Sequence, residues 1–160
     1  MDKRVIFVLT IFAVLFELQA LICPPQFTPV AGKCIFVSRN KVNWYAADRK
    51  CRKLGGSLLV FDSEVEQITI TAHLLTIGVP FTGQWEDCIW VGIDAQGNDH
   101  NFVLSKNGDP PKYTPWAKKQ PSGYYKDLCG SFANYRSWGY VNNECLFEAL
   151  YVCETHGFEP

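Results

Sequence analysis

The sequence lacks a surplus of charge of either sign. Its 160 residues include 15 Lys and Arg against 16 Asp and Glu, which gives a net charge of −1 at pH 7. A protein that binds nucleic acid needs a basic face, so we do not expect nucleic acid as a partner. Histidine is scarce, with three residues, and there is no Cys-x-x-Cys motif. A zinc site is therefore not expected either.

The motifs of common enzyme classes are also missing. The sequence contains no Gly-x-Ser-x-Gly, no phosphate-binding loop and no His-Glu-x-x-His, so no candidate catalytic site emerges. Glu64 and Glu66 form the nearest thing to a carboxylate pair. They lie in the first turn of a predicted helix, where acidic side chains stabilise the helix dipole. We therefore expect a binding protein and not an enzyme.

No segment is long and apolar enough to suggest a membrane span. The apolar run at residues 5–16 is shorter than the ~20 residues that a spanning helix needs. Charged residues precede it at positions 2–4, and a small residue, Ala20, follows it. This pattern is typical of a secretory signal peptide. We expect residues 1–20 to be removed, leaving a secreted domain at residues 21–160.

Cysteine is plentiful, and every cysteine lies after the predicted cleavage point. The seven positions are 23, 34, 51, 88, 129, 145 and 153. Secreted proteins keep their disulfides, so six cysteines are expected to pair and one to remain. Spacing alone decides neither the pairing nor which cysteine is left over.

The first half of the mature chain predicts a hairpin followed by a helix. Pro and Gly turns separate short apolar runs between Cys23 and Cys34, which is typical of a hairpin. A first helix is expected to start after Asn43 as its N-cap and to stop at Gly55. Its apolar face at helical spacing comprises Trp44, Ala47, Cys51 and Leu54.

A second helix is predicted from its start signal and its periodicity. Ser63 followed by Glu66 forms a capping box, and Gly78 and Pro80 end the helix. An apolar stripe, typical of a helix that packs on a core, comprises Val65, Ile68, Ala72 and Leu75.

The second half of the chain predicts strands around a long loop. Residues 88–94 (CIWVGID) form an apolar central strand, and short strands are expected near the C-terminus. Residues 105–126 are rich in Pro, Gly, Lys and Asn, and a long irregular segment in a compact domain is often functional. The order of hairpin, helices and strands indicates an α+β domain.

Several spaced motifs resemble the C-type lectin-like domain family, in its small secreted invertebrate-type single-domain form. They occur in the family's order between Cys23 and Glu154. The motifs are CRKLGGSLLVFDSEVEQ, WVGID, Trp116-x-x-x-Gln120-Pro121, Cys129, Cys145 and YVCE. The resemblance implies a C-type lectin-like fold, with two helices, small antiparallel sheets, a long loop region and three disulfides.

The resemblance also implies a disulfide pairing. The pairs are Cys23–Cys34, Cys51–Cys153 and Cys129–Cys145, which leaves Cys88 unpaired. Its apolar neighbours Ile89 and Trp90 favour a buried free thiol in a monomer. The alternative is an intermolecular disulfide that links two chains into a dimer.

In sugar-binding members of the family, one Ca²⁺ in the long-loop region is held by oxygens that also hold sugar hydroxyls. The matching positions here are Gln120, Ser122, Asp127 and Asn142, and Pro121 is expected to be cis. Only Asp127 is acidic, because Ser122 and Asn142 stand where the family has carboxylates. Affinity for Ca²⁺ follows the number of charged ligands, so we expect a weak or absent calcium site.

Aromatic residues offer a second route to a ligand. Tyr124 and Tyr125 are expected to be exposed, and Trp138 and Tyr140 follow nearby, with Trp138 expected in the core. Aromatic faces pack on the apolar face of a sugar, but the same side chains also suit a protein interface.

These observations predict a secreted carbohydrate-binding protein that binds extracellular glycans or glycoproteins. By family analogy the Gln120-Pro121 motif favours galactose. Lys118 and Lys119 beside it suit an anionic glycan, such as a sulfated or sialylated one. The alternative is a metal-independent protein-binding module of the same fold.

Overall fold

The computed structural model describes residues 21–123 and 128–158. The predicted signal peptide lies outside these residues, as do Tyr124, Tyr125 and Asp127. Within them the helices are α1 (Trp44–Lys53) and α2 (Glu64–Thr76). The strands are β1 (Thr28–Val30), β2 (Lys33–Val37), β3 (Ser57–Leu58), β4 (Cys88–Asp94), β5 (Val103–Leu104), β6 (Cys129–Tyr135), β7 (Ser137–Asn143) and β8 (Leu150–Thr155).

The strands join in one mixed sheet in the order β1-β2-β8-β4-β6-β7, with β3 on β8 and β5 on β4. All pairs are antiparallel except β4 and β8. The chain therefore closes on itself, because β2 near the start of the domain pairs with β8 near its end. The predicted α+β class is confirmed.

Both helices begin at the residues that the sequence predicts. The Asn43 side chain accepts a hydrogen bond from the backbone N–H of Ala46 at 2.9 Å. The hydroxyl oxygen of Ser63 accepts one from Glu66 at 3.2 Å, and the Glu66 carboxylate accepts one from the Asp62 backbone at 2.6 Å. Each cap satisfies N–H groups that a helix start leaves unpaired.

Helix α2 buries a different face from the one that the sequence predicts. Its buried residues are Gln67, Ile70, Thr71 and Leu74, whereas the predicted stripe faces outward: Val65 is 74% exposed, Ile68 61% and Leu75 49%. The helix carries apolar residues on two sides, so periodicity alone allows either side to face the core.

An ion cluster accounts for the orientation of α2. The ammonium of Lys33 lies 3.2 Å from the Glu66 carboxylate, 3.0 Å from Asp62 and 2.7 Å from Glu154. The cluster joins β2, the start of α2 and β8. Because Glu66 is held inward, the residues beside it on the helix face the sheet.

The core contains two groups of apolar side chains. Trp90 on β4 is fully buried, and its indole N–H donates to the Val42 carbonyl at 2.9 Å. Tyr140 on β7 is also fully buried, and its hydroxyl accepts from the Phe61 N–H at 3.0 Å. Trp138 is 36% exposed, so the prediction that it lies in the core is wrong: it packs on Phe132 at the edge of the core.

Three disulfides cross-link the domain: Cys23–Cys34, Cys51–Cys153 and Cys129–Cys145. These are the pairs that the family resemblance implies. Cys88 at the start of β4 is unpaired and only 3% exposed. Burial raises the pKa of its thiol to about 12, because a thiolate is poorly solvated in the core.

Candidate functional site

The site is built where the segment at residues 115–117 lies along β7. The backbone N–H of Tyr140 donates to the Pro115 carbonyl at 2.6 Å, and the Ala117 N–H donates to the Tyr140 carbonyl at 2.9 Å. Gly139 allows this approach, because a Cβ there would collide with the Pro115 carbonyl oxygen. The pairing brings the residues after Ala117 beside the end of β7, where Asn142 lies.

Gln120, Ser122 and Asn142 lie together, as the sequence predicts, and bond to one another. The peptide between Gln120 and Pro121 is cis. The Gln120 side-chain oxygen accepts from the Ser122 N–H at 3.1 Å, and the Asn142 side-chain oxygen accepts from the same N–H at 2.6 Å. In return, the Asn142 side-chain amide donates to the Ser122 carbonyl at 2.9 Å.

The donor chemistry of these residues does not fit Ca²⁺. The ion prefers several oxygens with carboxylate charge, yet Gln120, Ser122 and Asn142 are all neutral, and their side-chain oxygens already take part in protein hydrogen bonds. The buried side chain at Val141 offers no oxygen. Over residues 21–123 and 128–158, no group of three His, Cys, Asp or Glu could hold a metal. Hydrogen bonds among Gln120, Ser122 and Asn142 thus stand at positions where the family has metal ligands.

A cleft of about 490 Å³ adjoins this network. Its lining combines polar, aromatic and charged side chains: Trp85, Lys119, Gln120, Ser122, Tyr135, Arg136, Val141, Asn142, Asn143, Glu144 and Phe147. Trp85 is 36% exposed, and its ring packs on Phe147 with 5.1 Å between centroids. The cleft therefore has an aromatic wall beside hydrogen-bonding groups.

The cleft carries more positive than negative charge. Among the described residues that line it, Lys119 and Arg136 are basic and Glu144 alone is acidic. The guanidinium of Arg136 lies 4.8 Å from the centre of the Tyr135 ring, a distance typical of a cation–π contact. The Ser137 hydroxyl accepts a hydrogen bond from the Lys118 N–H at 2.9 Å, which ties the loop carrying Lys119 to the turn carrying Arg136.

Sequence reasoning identified part of this site and missed the rest. Three residues of the lining lie on segments that carry none of the family motifs: Trp85, Arg136 and Phe147. The aromatic content was the only available signal, and it did not indicate which residues meet. Tyr124, Tyr125 and Asp127, which the sequence placed at the site, fall outside the described residues.

Comparison with known proteins gives the family. The family model for the lectin C-type domain matches residues 40–155, which include both helices, the cis-proline and β7. The chain belongs to the C-type lectin domain family. Members of this family are generally binding proteins rather than enzymes.

Individual relatives of this C-type lectin domain are distant. C-type lectin domain family 10 member A of Rattus norvegicus is 26% identical over 136 residues, which cover 82% of this chain but only 41% of the rat protein. Salivary C-type lectin 2 of Aedes albopictus is 28% identical over 116 residues, covering 69% of this chain and 76% of the mosquito protein.

Solved structures support the same fold. A calcium-independent type II antifreeze protein superposes with a TM-score of 0.71 at 20% identity, covering 87% of this chain and 98% of the other. The predicted C-type lectin-like fold is therefore confirmed. Across the part of the chain that the structure describes, neither helix has the length and apolarity to cross a membrane.

Proposed function

We propose that this C-type lectin domain is a secreted carbohydrate-binding protein that binds acidic, galactose-containing glycans without calcium. The observation that carries the proposal is the cleft beside Gln120, Ser122 and Asn142. It combines an aromatic wall, hydrogen-bonding side chains and two basic residues in one cavity of about 490 Å³. That volume suits a ligand of one to a few sugar rings.

Each part of the cleft has a role in this proposal. The exposed ring of Trp85 packs against the C–H face of a sugar. The side-chain amide of Gln120 exchanges hydrogen bonds with its hydroxyls. The guanidinium of Arg136, oriented by the Tyr135 ring, binds a sulfate or carboxylate through charge-assisted hydrogen bonds.

Galactose is the proposed core sugar because Gln120 and Pro121 match the first two residues of the family's galactose-type Gln-Pro-Asp motif, although Ser122 replaces its aspartate. The acidic group is proposed from the charge of the lining, in which two basic residues face one acidic residue. Secretion is proposed from the sequence of residues 1–20, and the three disulfides suit an oxidising compartment.

A metal-independent protein-binding module is the second candidate. The observation that favours it is the composition of the cleft, since Trp, Tyr and Arg are the residue types enriched at protein interfaces. A protein partner would contact Trp85 and Arg136 directly and would not require a sugar.

A glycan array distinguishes the two candidates. The mature, disulfide-bonded protein is applied to neutral, sulfated and sialylated glycans in the presence of a calcium chelator. We expect binding to acidic galactose-containing glycans, lost in Arg136→Gln and retained in the matched control Arg39→Gln, an exposed arginine outside the cleft. No binding to any glycan, with capture of a deglycosylated protein that requires Trp85, would overturn the proposal in favour of the second candidate.

A further inference from the structure

A second concavity of about 580 Å³, which we call the α2 groove, lies between α2, the segment at residues 113–115 and the start of β7. It shares no lining residue with the cleft beside the cis-proline. Its lining includes Glu64, Ile68, Thr71, Leu75, Tyr113 and Trp138. No part of the proposed glycan recognition uses them.

The walls of the α2 groove are mainly apolar. Ile68 is 61% exposed, Leu75 is 49% exposed and Trp138 is 36% exposed. They form a continuous lining because α2 turns its second apolar side outward. Small-molecule sites have volumes of about 300–1,000 Å³ and are lined by apolar and aromatic side chains with a few polar groups. The α2 groove has this composition.

One polar group in the groove points to a ligand. Thr71 is only 8% exposed, and its hydroxyl oxygen is buried without a hydrogen-bond partner among the residues that the structure describes. Leaving a buried hydroxyl unpaired is costly. A ligand in the groove that donates a hydrogen bond to this oxygen would remove the cost.

The other polar groups indicate the charge of that ligand. The Tyr113 hydroxyl donates to the Gln67 side-chain oxygen at 2.9 Å, so its lone pairs are left to accept. Of the residues that the structure describes in the lining, Glu64 alone is charged. Desolvation and the nearby Glu64 carboxylate raise the pKa of Tyr113, so this phenol stays neutral at physiological pH. A carboxylate, a hydroxyl and a phenol oxygen together favour a cationic hydrogen-bond donor.

We propose that the α2 groove binds a small amphipathic amine, with its apolar body on Ile68, Leu75 and Trp138. Its ammonium group lies towards Glu64 and donates to the hydroxyl of Thr71. The face of the Trp138 ring adds a cation–π or stacking contact. This site is independent of the glycan-binding cleft, so either can be present without the other.

Three probes of one shape and different charge test the proposal by calorimetric titration of the mature protein. They are 2-phenylethylamine, 2-phenylethanol and phenylacetate. We expect saturable binding of the amine at one site, affinity for the alcohol about two- to fivefold lower, and no measurable binding of the acid, in line with the effect of one partly exposed ion pair. Equal affinities for the amine and the alcohol would overturn the proposal. So would the absence of binding at amine concentrations on the order of 10 mM.

Substitutions in the lining test whether the amine binds in the α2 groove. Glu64→Gln should lower the affinity for the amine about two- to fivefold and leave the alcohol unchanged, whereas the exposed Glu148→Gln outside the groove should change neither. Thr71→Val should weaken the amine and raise the melting temperature, because the unpaired hydroxyl is removed. Its matched control is Thr69→Val, at an exposed position where the hydroxyl donates to the Val65 carbonyl.

The alternative to an amine in the α2 groove is a second copy of the chain. Analytical sedimentation distinguishes dimerisation from amine binding. We expect a monomer over the concentration range of the titrations. A concentration-dependent dimer that Ile68→Ser abolishes and that the amine does not disrupt would contradict the proposal.

Discussion

The side chain of Asn142 and the backbone of Ser122 bond to each other in both directions. The Ser122 N–H donates to the Asn142 side-chain oxygen at 2.6 Å, and the Asn142 amide donates to the Ser122 carbonyl at 2.9 Å. The loop after the cis-proline is thereby held to β7 by protein groups alone. This pair lies where sugar-binding relatives have metal ligands, so the loop can keep its shape without a metal.

Replacing the amide by a carboxylate tests this pair. Asn142 is 3% exposed, so Asn142→Asp buries a charge opposite the Ser122 carbonyl and loses one hydrogen bond. We expect a loss of about 2–4 kcal/mol in the free energy of unfolding at pH 7. The buried acid has a pKa above its unfolded value, so the lost stability returns as the pH falls towards 4. Denaturant unfolding at several pH values measures this.

The control for that variant is Asn40→Asp, because Asn40 is exposed and outside the cleft. It should change stability by less than about 0.5 kcal/mol. If Asn142→Asp were as stable as the parent at pH 7 and its melting temperature rose strongly with millimolar-order Ca²⁺, the residues would be a metal site lacking one charge. That result would contradict the inference that hydrogen bonds among Gln120, Ser122 and Asn142 hold the loop in place of a metal.

Lys33 is expected to be essential for stability. Its side chain is 13% exposed, and its ammonium contacts Glu154, Asp62 and Glu66. Lys33→Met therefore leaves the buried carboxylates of Glu66 and Glu154 without their nearest cation. Removing one partner of a buried ion pair costs about 3–5 kcal/mol. Chemical unfolding of the variant should show a loss of this size.

A second variant separates this charge effect from a packing effect. Glu154→Gln removes one of the carboxylates that Lys33 neutralises, so Lys33→Met should cost less in that background than alone. An unchanged cost in the double variant would show that the Lys33 side chain acts through packing instead of charge.

Cys88 is expected to be unreactive in the folded protein. Burial raises the pKa of its thiol to about 12, so the thiolate is rare below pH 9 and the folded state favours the protonated form. The stability that this preference gives the folded protein is present in full below the ordinary pKa of a thiol. It is lost as the pH rises from 9 towards 12. At pH 8, alkylation should be at least about a thousandfold slower in the folded than in the unfolded protein.

The burial of Cys88 also bears on the disulfide-linked dimer. A non-reducing gel of the oxidised protein should show the monomer only, since a 3% exposed thiol cannot reach a second chain without opening β4. Rapid alkylation under native conditions, or a dimer that reductant removes, would contradict the buried position of Cys88.

The fold could be predicted largely because its signals are local or are carried by ordered motifs. The caps at Asn43 and Ser63 depend on residues three positions apart, and the structure has both. Which face of α2 points outward could not be predicted. The rotation of the helix about its own axis depends on the contact between Glu66 and Lys33, and Lys33 lies on a strand far away in sequence. The location of Trp138 was missed for a related reason: its environment is set by Phe81 and Phe132, which approach it only in the folded sheet.

The candidate site divides in the same way. Gln120, Ser122 and Asn142 could be predicted together, because the family's Gln-Pro motif gives the first two and the spacing to Cys145 gives Asn142. Their bonding to each other could not, since it depends on side-chain orientation after the loop packs on β7. Trp85 and Arg136 reach the cleft from segments far apart in sequence, and no spacing rule joins them.

Glycan binding in the cleft without calcium can be tested by a single titration. A sulfated galactose is titrated calorimetrically into the mature protein, once with Ca²⁺ at extracellular concentration and once with excess chelator. We expect saturable binding with the same affinity in both, weakened about tenfold or more by Arg136→Gln, the loss expected for a charge-assisted hydrogen bond. Binding that appears only with Ca²⁺ would contradict it, as would the absence of binding in both.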